Sequence, residues 1–190
     1  MNIARPLSIV WTSLIVVVLC GCQQPSMEDM MKPPARPAEL DQLNAFIGEW
    51  DGTAEITMPG SDKTMTGRGH SVARWAADKW AMIEEYEESG GDEQPTKGLA
   101  VWTWDPEDKE FRAFWTGSHG GWGHGSIRYD EKTDTWHMTA HSENPYNGMK
   151  TVGEGTVKFP DANTQEWSYT EWGPWKMKKL FEMKGTSHRK

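Results

Sequence analysis

The chain has 190 residues, 36% of them hydrophobic and 25% charged, and carries 20 basic against 28 acidic side chains for a net charge of −8. That acidic surplus argues against nucleic acid as a partner and against adhesion to anionic lipid, since both need clustered positive charge. It is otherwise the ordinary balance of a well-solvated surface.

Residues 1–21 read as a secretory leader rather than as part of the fold. The single charge of Arg5 precedes the apolar run LSIVWTSLIVVVL, which is too short for a comfortable membrane span and has the shape of an h-region. Leu19-Cys20-Gly21-Cys22 then resembles the bacterial lipobox, a small-residue cleavage site directly before a cysteine. The resemblance implies cleavage before Cys22 and acylation of its new N-terminus with palmitate-type chains. Each buried methylene adds about 0.8 kcal/mol, so several chains anchor the protein stably. The chain's two cysteines are Cys20 and Cys22, so a cleaved protein has no thiol left for a disulfide, a thiolate metal site or a nucleophile. Gln23 after the cysteine points to the outer membrane, facing the periplasm, if the host is Gram-negative. The stretch 22–37 is proline-rich without apolar periodicity and reads as a disordered tether, averaging roughly 20 Å end to end. Residues 38–190 remain for one domain with a real core.

The domain begins with one helical expectation and continues as strands. Within 37–47, Leu40, Leu43, Phe46 and Ile47 fall at i, i+3, i+6 and i+7, a single apolar face. From Trp50 the pattern turns to period two. It predicts strands over 49–58, 64–75, 79–88, 97–105, 110–118, 122–129, 134–142, 149–159, 164–172 and 175–185. PGSD, DPEDK, DEKTD, NPYNG and PDAN separate them with turn chemistry. Ten short strands in sequence predict an all-β, up-and-down antiparallel barrel, with a sandwich as the alternative.

The junction FIGEWDG (46–52) is similar to the start of lipocalin-like barrels, in which the tryptophan closes the base. With WDPEDKEF (104–111), YDEKTDTW (129–136) and the closing MKKLFEMKGTSHRK, it resembles the bacterial family known as domain of unknown function 1579 over about 37–190. The resemblance implies a lipocalin-like barrel and no established biochemistry. The haem-binding nitrobindin group has a similar shape, but its start carries a further glycine where this chain has Ala54. Its ligand histidine lies in the barrel's C-terminal portion, whereas the strand predicted over 175–185 has none and His188 falls beyond it.

Few residues offer chemistry. The aromatic content is high, with 12 tryptophans in the whole chain, and aromatics either fill a barrel or stack on a flat ligand. Trp102, Trp104 and Trp115 lie on central strands. Trp122, Trp172 and Trp175 lie beside turns, as residues at a mouth would. Tyr86, Trp102, Trp104, Trp115, Trp122 and Trp172 form the candidate ligand-binding set.

The stretch SHGGWGHG (118–125) offers histidines instead. A two-residue loop at Gly120-Gly121 would set Phe114 opposite Ile127 and His119 opposite Trp122, gathering His119, Trp122 and His124 on one face. His137 and His141, about 13 Å apart along one strand, could complete a metal site if that strand ends nearby. Solvated or hydrogen-bonded histidines are the plainer alternative.

The run Glu84-Glu85-Tyr86-Glu87-Glu88 alternates faces and reads as a solvated strand end. One pair facing inward, with each carboxyl raising the other's pKa, is the alternative. No nucleophile elbow, phosphate loop or metalloprotease helix occurs, which argues against an enzyme. The sequence therefore predicts no cofactor and no catalytic residues. It predicts a lipid-anchored envelope barrel holding a small hydrophobic or amphiphilic ligand. A structural or interaction module, and a metal- or haem-binding protein using the 118–125 hairpin, are the alternatives.

Overall fold

A computed structural model gives the structure of residues 32–90 and 95–190 together with Met27. The leader, Cys22 and most of the 22–37 tether lie outside the described residues. The architecture resides in the unit Arg36–Lys190.

That unit is a closed barrel of ten antiparallel strands: β1 (Gly48–Thr57), β2 (Thr64–Ala76), β3 (Ala81–Gly90), β4 (Thr96–Asp105), β5 (Glu110–Gly117), β6 (Trp122–Asp130), β7 (Thr135–Glu143), β8 (Lys150–Asp161), β9 (Thr164–Trp172) and β10 (Lys179–Arg189). Each strand pairs with its neighbours in sequence, and β1 pairs with β10 to close the ring. Closure leaves no exposed sheet edge. The barrel answers the alternative of a sandwich.

The remaining elements are short 3-10 helices, the longest spanning Ala38–Ala45. Leu40, Leu43 and Phe46 stand three apart, which on a helix of three residues per turn places them in one line. Leu40 and Leu43 are completely buried. Phe46 follows at the exit, with ring centroids 4.9 Å from Trp136, 5.0 Å from Phe159 and 5.3 Å from Trp102. These side chains plug the end of the barrel where β1 begins, against Ala73, Met82, Phe111, Ala113 and Ile127.

Arg189 locks this closed end. Its guanidinium lies 4.3 Å from the centroid of the Trp50 ring, and its nitrogens donate to the carbonyls of Ala45 (3.0 Å), Ala162 (3.0 Å) and Ile47. Trp50 in turn donates its indole N–H to the Phe46 carbonyl at 2.8 Å. The last strand and the plug are thereby one assembly, joined across the whole domain sequence.

The turns at the closed end are built as their residues dictate. Asp105 accepts from the backbone N–H of Glu107 (3.0 Å) and Asp108 (3.3 Å), and Asp130 from that of Lys132 (3.0 Å). These are side-chain-capped turns that aspartate forms locally.

Two expectations are corrected. The last strand runs to Arg189 and begins only at Lys179, because Trp175 and Lys176 adopt left-handed backbone (φ 60° and 55°) inside the preceding turn. His188 is therefore a strand residue, opposite Asp51. The β5–β6 hairpin is also longer than a two-residue loop. Gly120 donates to the Gly117 carbonyl and Gly117 to that of Gly121, so Thr116 faces Trp122, Phe114 faces His124, and Phe111 faces Ile127. The shift of three positions, an odd number, reverses which partners share a face.

Candidate functional site

Met82 is fully buried in the plugged core, and strand alternation then sends Glu84, Tyr86 and Glu88 inward above it. By the same argument Trp115 on β5, Thr151 on β8, Tyr169 and Glu171 on β9, and Phe181 and Met183 on β10 face the lumen. At the closed end the inward side chains are essentially sealed: Trp50 is 3% exposed, Phe111 1% and Ile127 1%. Above the plug, Glu84, Tyr86, Trp115, Tyr169, Phe181 and Met183 face inward and yet are half-buried, and Glu88 near the mouth is more open still. Inward side chains that keep contact with water line a chamber open at one end.

Glycines on adjacent strands shape its wall. A Cβ at Gly98 would stand 2.1 Å from the Tyr86 ring, one at Gly123 2.5 Å from the Trp115 ring, and one at Gly153 2.0 Å from the Tyr169 hydroxyl. Each large ring thus lies flat along the wall over its neighbour's bare backbone, where otherwise it would fill the lumen. Glycine inside a strand weakens it, and such a close approach is what recovers the loss.

The chamber is polar as well as aromatic. Glu84 hydrogen-bonds Ser71, yet burial prevails and raises its carboxyl above the usual range, with Glu88 adding repulsion. The enclosing wall raises the Glu88 carboxyl too. Burial, reinforced by these two carboxylates, pushes the Tyr86 phenol up to about 12. On β8 and β9, Thr151 and Tyr169 both donate their hydroxyls to Glu171, which is 8% exposed. Burial and the Glu171 charge raise the Tyr169 phenol strongly. β3 and β8 are five steps apart in a ring of ten, so Glu84 and Glu88 stand on the wall opposite Thr151. Among the described residues above the plug, no lysine, arginine or histidine occupies an inward strand position. Deeper in the barrel, the buried Trp102 indole N–H finds no acceptor among the described residues.

The acidic run is therefore no simple solvated strand end. Glu85 and Glu87 face outward, pairing with Arg74 (3.0 Å) and Lys97 (3.1 Å), while Glu84 and Glu88 face the lumen. Of the aromatic set, Tyr86 and Trp115 line the chamber, and Trp102 and Trp104 pack into or against the plugged core. Trp122 and Trp172 lie on the outer face of the barrel, the latter beneath the Lys176 ammonium at 5.3 Å. Trp175 is 87% exposed on the β9–β10 loop.

The histidines stand outside. Trp122 stacks near Phe114 (6.3 Å) and His124 (6.4 Å), and His124 near His141 (5.5 Å), forming an external row across β5, β6 and β7. His141 thus does reach His124. His119 sits apart on the exposed turn, and His137 lies opposite Arg128. No group of three or more metal-ligating side chains occurs among the described residues. All six histidines, His188 and the Asp51-bonded His70 included, lie outside the lumen, so no imidazole is placed to ligate haem within it.

Tyr169, Glu171 and Thr151 were not singled out by sequence. The available signal was cross-strand pairing of an aromatic with an interior glycine, which needs the register first.

Residues 36–189 match the model of a family described as "Protein of unknown function (DUF1579)". No curated protein matches the sequence. Among solved structures, the barrel is similar to Rv2717c from M. tuberculosis, with a TM-score of 0.63 and 10% identity over 82% of this chain and 99% of that one. It is also similar to the S-type phycobiliprotein lyase CPES from Guillardia theta, with a TM-score of 0.56 and 10% identity over 82% of this chain and 94% of the other. Identities this low establish a common fold.

Proposed function

The chain belongs to the DUF1579 family of proteins of unknown function, and we propose that its barrel binds a small amphiphile in the chamber above the plug. The observation that carries this reading is the lining itself. Rings laid flat on glycines leave lumen between the walls, and their faces offer apolar surface to a ligand body. Among the described residues, Glu84, Glu88 and Glu171 are countered by no inward cation on the strands, so the ligand's polar end is a hydrogen-bond donor or a protonated amine. The similar barrel of the phycobiliprotein lyase supports a small-molecule site in this architecture by analogy of fold alone.

The protein is a lipid-anchored component of the cell envelope. Residues 1–21 are its signal peptide, Cys22 is acylated, 22–37 is the tether and 38–190 the barrel. In a Gram-negative host it faces the periplasm from the outer membrane. Incorporation of labelled palmitate, lost in Cys22→Ser, tests the anchor.

The ligand reading is tested by titrating the full chain with dodecylamine and with dodecanoate, following tryptophan fluorescence. The amine binds the more tightly, and Glu84→Gln and Glu88→Gln narrow the difference. Equal binding of the two, or binding of neither, overturns it.

A further inference from the structure

We propose that the mouth of the barrel docks on the surface of a lipid bilayer, inserting Trp175 and Met177 of the β9–β10 loop with Tyr146 and Met58 from the loops on either side. The strand order places these three loops next to one another on the rim, because the β9–β10 hairpin stands between β8 and β1. Three of their tips are the most exposed large apolar groups of the barrel, Trp175 at 87%, Met177 at 81% and Tyr146 at 78%, and Met58 adds a fourth at 46%.

These side chains are held out by structure. Trp175 and Lys176 adopt left-handed backbone at φ 60° and 55°, a conformation unfavourable to residues with a side chain. Gly173 and Lys178 close the loop through a 2.8 Å hydrogen bond, and Lys176 is fixed between Glu154 and the Trp172 ring. The turn thus presents the Trp175 ring to solvent instead of folding it back onto the barrel.

The chemistry selects a bilayer. Tryptophan and tyrosine are amphipathic rings suited to the headgroup layer, and methionine adapts to acyl chains. The fingertips come from separate loops around an opening rather than forming one flat patch, so they fit a yielding surface better than a protein's fixed relief. Charge agrees. The loops 144–149 and 173–178 contain no acidic residue and carry Lys176 and Lys178. Asp62, beside Lys63, is the one acidic residue in the three docking loops, so this part of the rim carries a small positive excess. At the opposite end, the closed-end loops carry five acidic residues, Asp78, Glu107, Asp108, Glu131 and Asp134, against three lysines, Lys79, Lys109 and Lys132. Docking needs no occupied chamber, so it goes beyond the ligand reading and can stand without it.

The test uses the full chain in vesicles of the zwitterionic lipids phosphatidylethanolamine and phosphatidylcholine, with an environment-sensitive thiol dye introduced through Trp175→Cys or, at the closed end, Glu107→Cys. Both positions lie in exposed loops, and unchanged circular dichroism verifies the fold. Dye on Cys20 or Cys22 is common to both chains and is subtracted using the parent chain. Docking predicts a blue shift at position 175 and quenching by lipid-borne nitroxide about threefold or more that at position 107, as expected for a site within the headgroup layer. Equal quenching at both positions overturns the proposal, because a tether alone then accounts for proximity. Two water-like spectra overturn it as well.

Discussion

The Tyr86 ring lies over the backbone of its cross-strand partner Gly98, so close that a Cβ on Gly98 would stand 2.1 Å from the ring's Cζ. The pair decides how much of the lumen is free. Gly98→Ala forces the ring off the wall and into the chamber. Dodecylamine affinity falls, and overpacking costs about 1–3 kcal/mol of stability. Adding Tyr86→Ala to Gly98→Ala restores binding beyond that of Gly98→Ala alone. Independent, additive losses in the double-mutant cycle would show that the two residues do not compete for this space.

Glu84 sets a pH signature. Burial raises its folded pKa above the ordinary 4.5, so between that value and the raised one the folded chain holds a proton that the unfolded chain has released. Stability contributed by this group is present at low pH and is lost as pH rises through the window. Glu84→Gln therefore raises the melting temperature at pH 8 by a few degrees, while the two proteins converge at pH 4. A variant that melts lower at both pH values contradicts the assignment.

The same protonation governs recognition of an amine. The carboxylate is the form that attracts the cation, so dodecylamine affinity rises with pH across that window, provided the amine itself stays protonated. Calorimetric titrations at pH 5 and pH 8 measure the difference. A fall in affinity toward pH 8 would exclude Glu84 and Glu88 as the anionic partners.

Leu43 tests the plug. Its side chain is completely buried among the core residues, and Leu43→Ala leaves a cavity there. Loss of about 2–5 kcal/mol in urea unfolding is expected. A cost under about 1 kcal/mol would mean that the 3-10 helix is dispensable to the barrel.

Arg189 tests the seam. Its planar fork reaches three carbonyls and covers the Trp50 ring, geometry that a lysine cannot reproduce. Arg189→Lys and Arg189→Ala should each lose about 1–3 kcal/mol, with lysine recovering little. Full recovery by lysine in thermal melts would reduce the seam to simple charge.

What the sequence determined by itself was local. Asp105 and Asp130 hydrogen-bond the backbone two residues ahead, so DPEDK and DEKTD announce turns from their own chemistry, and nine strands begin and end within about two residues of expectation. The apolar line Leu40, Leu43, Phe46 was equally plain. Alternation also divided the acidic run into 84/88 and 85/87.

Only the tertiary structure decided which of those faces points inward. Strand alternation has two equivalent phases, and the choice between them is made when the strands close over the plug and when each hairpin fixes its register. Gly117–Gly121 holds a longer loop than Gly120-Gly121 alone would, and that odd shift turned Phe114 and His124 outward together. The last strand was set by pairing with β1, which carries Arg189 to Trp50 and leaves the strained turn at Trp175 behind it. The chamber of Glu84, Tyr86, Trp115, Tyr169 and Glu171 brings together residues from three separate parts of the chain, and only ring closure makes them neighbours of one space.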